Sequence, residues 1–196
     1  MIKYLGSKRT LLPVIARIAA ALPRARSVTD LFAGTSRVGH ALKQQGLQVH
    51  ANDHNAYAAT LARCYVEADA EDLLDDARRL VDELNQVPGR AGWFTETFCE
   101  RSRFFQPQNG ARVDAIRDAI VQAALPPTLE AVLLVSLMEA ADRVDSTCGV
   151  QMAYLKKWAA RSHNPLTLRV PSLVPRSPHG PCRVTQADAA VAIKES

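Results

Sequence analysis

Long apolar runs are missing from this sequence. Val14–Leu22 is interrupted by Arg17, and Ala131–Met138 is shorter still. Neither approaches the roughly 20 residues that a membrane-crossing helix needs. No stretch resembles a secretory leader, so a cytoplasmic protein with no membrane partner is expected. Closely spaced cysteines are missing too. Cys64, Cys99, Cys148 and Cys182 are all more than 30 residues apart, and the five histidines make no helical pair. That excludes a zinc knuckle or a vicinal redox motif and leaves ordinary reduced thiols and no metal as the expectation. Internal repeats and low-complexity tracts are absent as well.

The 196 residues are 47% hydrophobic and 22% charged, which suits one compact unit with a small lobe attached. A formal net charge of +4 is modest, but its distribution is uneven. Met1–Thr29 holds six basic residues and no acid, and Gln151–Arg183 again holds six and no acid. Between them, Glu67–Glu83 carries eight acids against Arg78 and Arg79. One face for a polyanion and another for water would account for this pattern, and so would a plainly solvated surface.

Apolar spacing predicts a helix over Thr10–Leu22, stopped by Pro23. A strand follows over Ser27–Phe32, then a helix over Arg37–Gln45 closed by Gly46, and a strand over Leu47–Ala51. Helical patterns then cover Ala56–Ala68 and Leu73–Gln86. This alternation is the rhythm of a parallel α/β sheet with crossover helices. Ala91–Gly110 is aromatic and reads as a loop, with Phe104 and Phe105 as a small hydrophobic core. Helices are expected at Val113–Ala123 and Thr128–Val144, an extended proline-rich stretch after Trp158, and a last strand at Arg183–Ala187.

The most chemically telling stretch is Asp30-Leu31-Phe32-Ala33-Gly34-Thr35-Ser36. A strand enters a tight turn at Gly34, where the lack of a side chain lets backbone approach a ligand. Asp53 follows 19 residues after Gly34 at the end of the second strand, where nucleotide-binding sheets place a carboxylate for ribose hydroxyls. The three-glycine fingerprint that cradles a pyrophosphate is not there. A ligand with adenosine, no pyrophosphate and a cationic tail fits better, and S-adenosylmethionine is the common one.

Lys3-Tyr4-Leu5-Gly6-Ser7-Lys8, the Asp-x-Phe-x-Gly turn and Asn52-Asp53 together resemble the Dam-type DNA adenine (N6) methyltransferases. The likeness continues through Arg103-Phe104-Phe105, Asn109-Gly110 with Arg112–Arg117, Asp142-Arg143-Val144 with Thr147, and Ala153–Lys157. It implies a partial Rossmann-like class I methyltransferase sheet carrying a mostly helical DNA-recognition insertion. The implied division is an S-adenosylmethionine-binding α/β part at 1–72, an insertion at 73–181 and a return to the sheet at 182–196. Cofactor-binding roles are implied for Lys3, Tyr4, Gly6, Lys8, Asp30, Phe32, Gly34, Ser36, Asp53 and Asp188. Lys156, Lys157 and Arg161 would contact double-stranded DNA.

Members of this class complete the reaction with an Asp- or Asn-Pro-Pro-Tyr/Phe tetrapeptide, on which a flipped-out base is stacked. These 196 residues contain none. The one Pro-Pro pair, Pro126-Pro127, has Leu125 before it and Thr128 after it. The stretch is therefore expected to contain no catalytic residue and to bind cofactor and DNA without transferring a methyl by itself. A split enzyme completed by a second polypeptide, a truncation and a binding-only relative all remain open. So do a cytosine-N4 enzyme and a non-catalytic DNA-binding or specificity subunit; the methyltransferase itself is expected in the cytoplasm, nucleoid-associated, as part of a restriction–modification system.

Overall fold

The computed structural model describes residues 8–148 and 153–195. In chain order the elements are α1 (Leu12–Ala20), β1 (Ser27–Asp30), α2 (Arg37–Gln44), β2 (Gln48–Asn52) and α3 (Ala56–Ala62). A π-helical turn at Arg63–Glu67 leads to α4 (Ala70–Gln86) and the short α5 (Trp93–Thr95). A second π-turn at Glu96–Glu100 precedes α6 (Pro107–Gln122) and α7 (Pro127–Val144). After a 3-10 turn at Ala160–His163 come β3 (Arg183–Thr185) and α8 (Ala189–Ala192). Among the described residues no helix is long and apolar enough to cross a membrane. All four cysteines are free thiols.

The chain is α/β, mostly helical, with one small parallel sheet in the order β1-β2-β3. It divides into two compact units, with boundaries at Asp75/Asp76 and Val170/Pro171. Asp76–Val170 is the helical unit, whereas the insertion was expected to span 73–181. The proline-rich 171–181 belongs with the sheet. Its attachment is specific. Arg176 Nε donates to Asp69 Oδ2 at 2.9 Å, its backbone N–H donates to Glu71, and its Nη2 reaches Asp72. The acid-rich start of α4 thus neutralises one of the basic residues that looked available to a polyanion.

In the sheet unit, β2 is central. Val49 and Ala51 are fully buried beneath Val38 and Leu42 of α2 and Val66 of the first π-turn. Leu12, Ile15 and Ala19, one turn apart along α1, pack partly buried on the same core, whereas Leu11, Val14, Ile18 and Leu22, whose spacing suggests the helix, are exposed. Lys43 lies on the buried side of α2 at 2% exposure. Its ammonium donates to Asp69 Oδ1 at 2.6 Å and to the Ala68 carbonyl at 2.8 Å, which offsets the desolvation of the charge.

The helical unit is built on Val81, Leu84, Val113, Ile116, Leu133 and Leu137. Two amides hold its returning segment. Buried Asn109 donates to the Ser162 and Asn164 carbonyls and accepts from Leu166 N–H, and Asn85 brackets Leu168 in the same way. Here Ala91–Gly110 is not a loop. It contains α5 and the second π-turn, and α6 starts six residues before Val113. Asp114, twenty residues downstream, supplies the missing cap for α5. Its carboxylate accepts from the backbone N–H groups of Gly92, Phe94 and Thr95, a long-range partner that no local pattern reveals. Gly110 conceals the helix start because glycine is a poor helix former. It is required there because a Cβ would come within 2.3 Å of Cys99 Sγ. The aromatic residues form a ladder in which Phe94 packs on Phe98 and Phe105, and Phe98 meets Phe104 edge-on.

Candidate cofactor site

β1 ends at Asp30, two residues earlier than periodicity predicts, because the chain must turn at once. Ala33 N–H donates to the Asn52 carbonyl at 2.9 Å, and Ser36 N–H to the Ala33 carbonyl at 2.8 Å. Two closely spaced positive-φ positions result, Gly34 at +51° and Ser36 at +57°, separated only by Thr35. At Gly34 the conformation, not crowding, demands glycine. The nearest heavy atom to a Cβ there would be the Phe32 carbonyl at 4.0 Å, so open space lies above the backbone. At Ser36 a non-glycine residue holds the left-handed conformation at a cost of ~1–2 kcal/mol. Strain of this kind marks a turn whose shape is fixed by what it must present.

Among the described residues, two polar atoms of this turn have no partner. Asp30 Oδ2 and Ser36 Oγ are buried and without hydrogen bonds, and Ser36 is completely inaccessible although it begins α2 without capping it. Burial pushes the Asp30 carboxyl above its ordinary value. Lys8 and the Phe32 backbone N–H oppose that shift, and Asp53 reinforces it. Lys8 Nζ is itself fixed on the Phe32 carbonyl at 2.8 Å. A buried acceptor and a buried hydroxyl left unpaired each cost about 1–3 kcal/mol, a cost that a ligand with a cationic group would relieve. Phe32 stands 69% exposed beside them.

Asp53 closes the site from the end of β2. Gly34 N–H donates to its Oδ2 at 2.9 Å, and Asn55 N–H donates to its Oδ1 at 3.0 Å. Both oxygens are oriented by backbone and each keeps acceptor capacity for a diol. Asp188 lies just beyond β3, where its carboxylate caps α8 by accepting from Ala190 N–H at 2.8 Å. Asn52 Nδ2 holds the adjoining Ala187 carbonyl at 3.1 Å.

Lys8, Asp30, Phe32, Gly34, Ser36 and Asp53 thus meet at the carboxyl end of the parallel sheet, where open α/β sheets bind ligands. Lys3, Tyr4 and Gly6 lie outside the described residues. An orphaned carboxylate oxygen, an orphaned hydroxyl, the N-terminus of α2 and a pre-oriented second carboxylate fit S-adenosylmethionine, which offers an amine and sulfonium, a carboxylate and a ribose diol. Among the described residues no cluster of His, Cys, Asp or Glu could hold a metal ion. Asn52, Thr185 and the buried Lys43–Asp69 pair escaped sequence reasoning. For Asn52 the only signal was its place before Asp53.

The residues expected to meet DNA belong to the helical unit. Lys156 and Lys157 are exposed. The Arg161 guanidinium instead pairs with buried Asp145 at 2.7 Å and donates to the Thr147 carbonyl at 2.9 Å. Arg103 lies over the Trp158 ring at 4.8 Å and donates to the Lys156 carbonyl, which fixes the backbone of the two lysines.

Known proteins resemble this chain in sequence. A type II methyltransferase of Neisseria lactamica, M.NlaIII, is 33% identical over 97% of this chain. The modification methylase StsI of Streptococcus sanguinis is 26% identical over 85% of it. The chain spans 60% of the length of the first and 28% of the second. No solved structure matches. The family model for D12 class N6 adenine-specific DNA methyltransferases matches residues 4–177. With that match covering most of its length, the chain belongs to the D12 class N6 adenine-specific DNA methyltransferase family.

Proposed function

We propose that this chain is the cofactor-binding and DNA-facing part of an S-adenosylmethionine-dependent enzyme that methylates adenine N6 in double-stranded DNA. The single observation that carries the reading is the pair of buried unpartnered atoms, Asp30 Oδ2 and Ser36 Oγ, set in the turn opposite Asp53. Asp30 would take the amino end of the cofactor, and Asp53 would hold the ribose hydroxyls. Phe32 would cover apolar surface, while Lys8 keeps the turn in shape. Asp188 would lie toward the adenine. When bound, the cofactor supplies an electrophilic methyl for direct displacement by the amino nitrogen. The family description supports adenine over cytosine N4, and the relatives' names support a role in restriction–modification.

Methyl transfer in this reading draws on an Asp/Asn-Pro-Pro-aromatic segment from outside these 196 residues, in a longer chain or a second polypeptide. Titration calorimetry with S-adenosylmethionine tests the first half. Wild type should bind and Asp53→Ala should lose at least tenfold in affinity, and absence of binding by wild type refutes the site. Incubation with duplex DNA and labelled cofactor tests the second half. The 196-residue chain should transfer nothing until a polypeptide bearing the tetrapeptide is added, and robust transfer without it refutes the division of labour. A non-catalytic specificity subunit is the alternative, and it predicts DNA binding with no transfer even after complementation.

A further inference from the structure

Asn52 is 1% exposed, and every hydrogen-bonding position of its side chain is used. Nδ2 donates to the Leu31 carbonyl at 3.2 Å and to the Ala187 carbonyl at 3.1 Å. Oδ1 accepts from Thr185 Oγ1 at 2.7 Å and from Ala187 N–H at 3.2 Å. Its own carbonyl accepts from Ala33 N–H, and the next N–H, that of Asp53, donates to the Thr185 carbonyl. One side chain of the central strand therefore ties the turn after β1 to the segment after β3. Only a carboxamide can do this. It offers two donors and a two-lone-pair acceptor, whereas a carboxylate has no donor and an aliphatic side chain has neither.

We propose that Asn52 is a positioning residue of the cofactor site, one that sets the turn bearing Asp30 and Gly34 in register with the segment bearing Asp188 so that one ligand spans both. The proposal rests on the cofactor reading above. Asn52 touches no part of the ligand in this account. It acts by preorganisation, which raises affinity by removing the cost of bringing two half-sites together.

General loss of folding and loss of register leave different marks. A smaller folded fraction divides the affinity for every ligand by the same factor. Misregister of the two segments penalises only a ligand that touches both. The probes are S-adenosylmethionine and 5′-methylthioadenosine, which lacks the amino-acid end, each titrated into wild type, Asn52→Asp and Asn52→Ala. The expected result is at least a tenfold rise in Kd for S-adenosylmethionine with less than a threefold rise for 5′-methylthioadenosine. Equal rises for the two probes, or no rise for either, overturn the proposal. Should neither variant fold, Thr185→Val removes one of the four bonds and must raise the ratio of the two Kd values about twofold; an unchanged ratio overturns it. If wild type binds neither probe, the cofactor reading has failed. Tight wild-type binding with an unchanged ratio in the variants sinks the role of Asn52 alone.

Discussion

Replacing Asp30 by Asn keeps the volume of the side chain and removes its charge. In the wild type the carboxyl is pushed above the ordinary value of 3.8, chiefly by burial, and Oδ2 has no partner. A carboxyl whose folded value is raised keeps its proton longer folded than unfolded. Its contribution to stability is therefore favourable below 3.8 and is lost as pH climbs through the folded value. In the ligand-free protein Oδ2 is buried with no donor among the described residues. An unpaired group of this kind costs about 1–3 kcal/mol, and with Lys8 offsetting part of it, about 1 kcal/mol is the expected net. Asp30→Asn should accordingly melt ~2–4 °C above wild type without cofactor. Binding should move the other way. Loss of a charge-assisted hydrogen bond, about 1.5–3 kcal/mol, corresponds to a Kd for S-adenosylmethionine raised ~10- to 100-fold. Thermal denaturation from pH 4 to 8 with and without cofactor, together with calorimetric titration, reads both quantities. An Asn variant that melts lower than wild type and binds cofactor equally well would refute the assignment of Asp30 as an acceptor waiting for a ligand.

Gly34→Ala should cost only about 1 kcal/mol in urea denaturation, since φ is +51° but no protein atom obstructs the new methyl; its Kd for cofactor should nonetheless rise at least tenfold. His40 lies inside the sheet unit with Nε2 3.0 Å from the Ser172 carbonyl and its ring edge-on to Tyr65, and burial pushes its pKa below 6.5. Because the unfolded chain binds that proton first, stability should fall as pH drops below about 6.5, and His40→Gln should flatten that slope in denaturation curves from pH 5 to 8. Lys43→Met removes one of the two cations that hold the buried Asp69 carboxylate, Arg176 keeping the other, and should cost about 1–3 kcal/mol in chemical denaturation. Lys156→Ala with Lys157→Ala should lower the salt slope of DNA binding by about 1–2 without changing cofactor affinity, as measured by fluorescence anisotropy across a salt series.

The alternation of helix and strand along residues 12–52 was legible because each element buries one side on a shared core, and a buried side imposes its own period. Leu12, Ile15 and Ala19 display that period on α1, and Val49 and Ala51 display it on β2. The aromatic stretch was misread for the opposite reason. α5 depends on a cap from Asp114, and the first turn of α6 carries Asn109 and Gly110, two residues that disfavour helices locally yet are fixed by contacts with Ser162, Asn164 and Cys99. Charge counts misled in a similar way. Arg176 and Arg161 belong to an acid-free stretch of sequence but are matched in space by Asp69 and Asp145.

Sequence alone determined the parallel α/β character, the glycine turn and the carboxylate 19 residues beyond it, because these rest on local conformation and short-range spacing. Tertiary structure decided what those residues face. It left Asp30 Oδ2 and Ser36 Oγ buried without partners, turned both oxygens of Asp53 toward backbone donors, and gave Asn52 the task of holding two distant segments together. The Gly34–Asp53 and Asn52–Ala187 hydrogen bonds join groups 19 and 135 residues apart, and hydrogen-bond satisfaction over such separations is settled only when the strands are laid side by side.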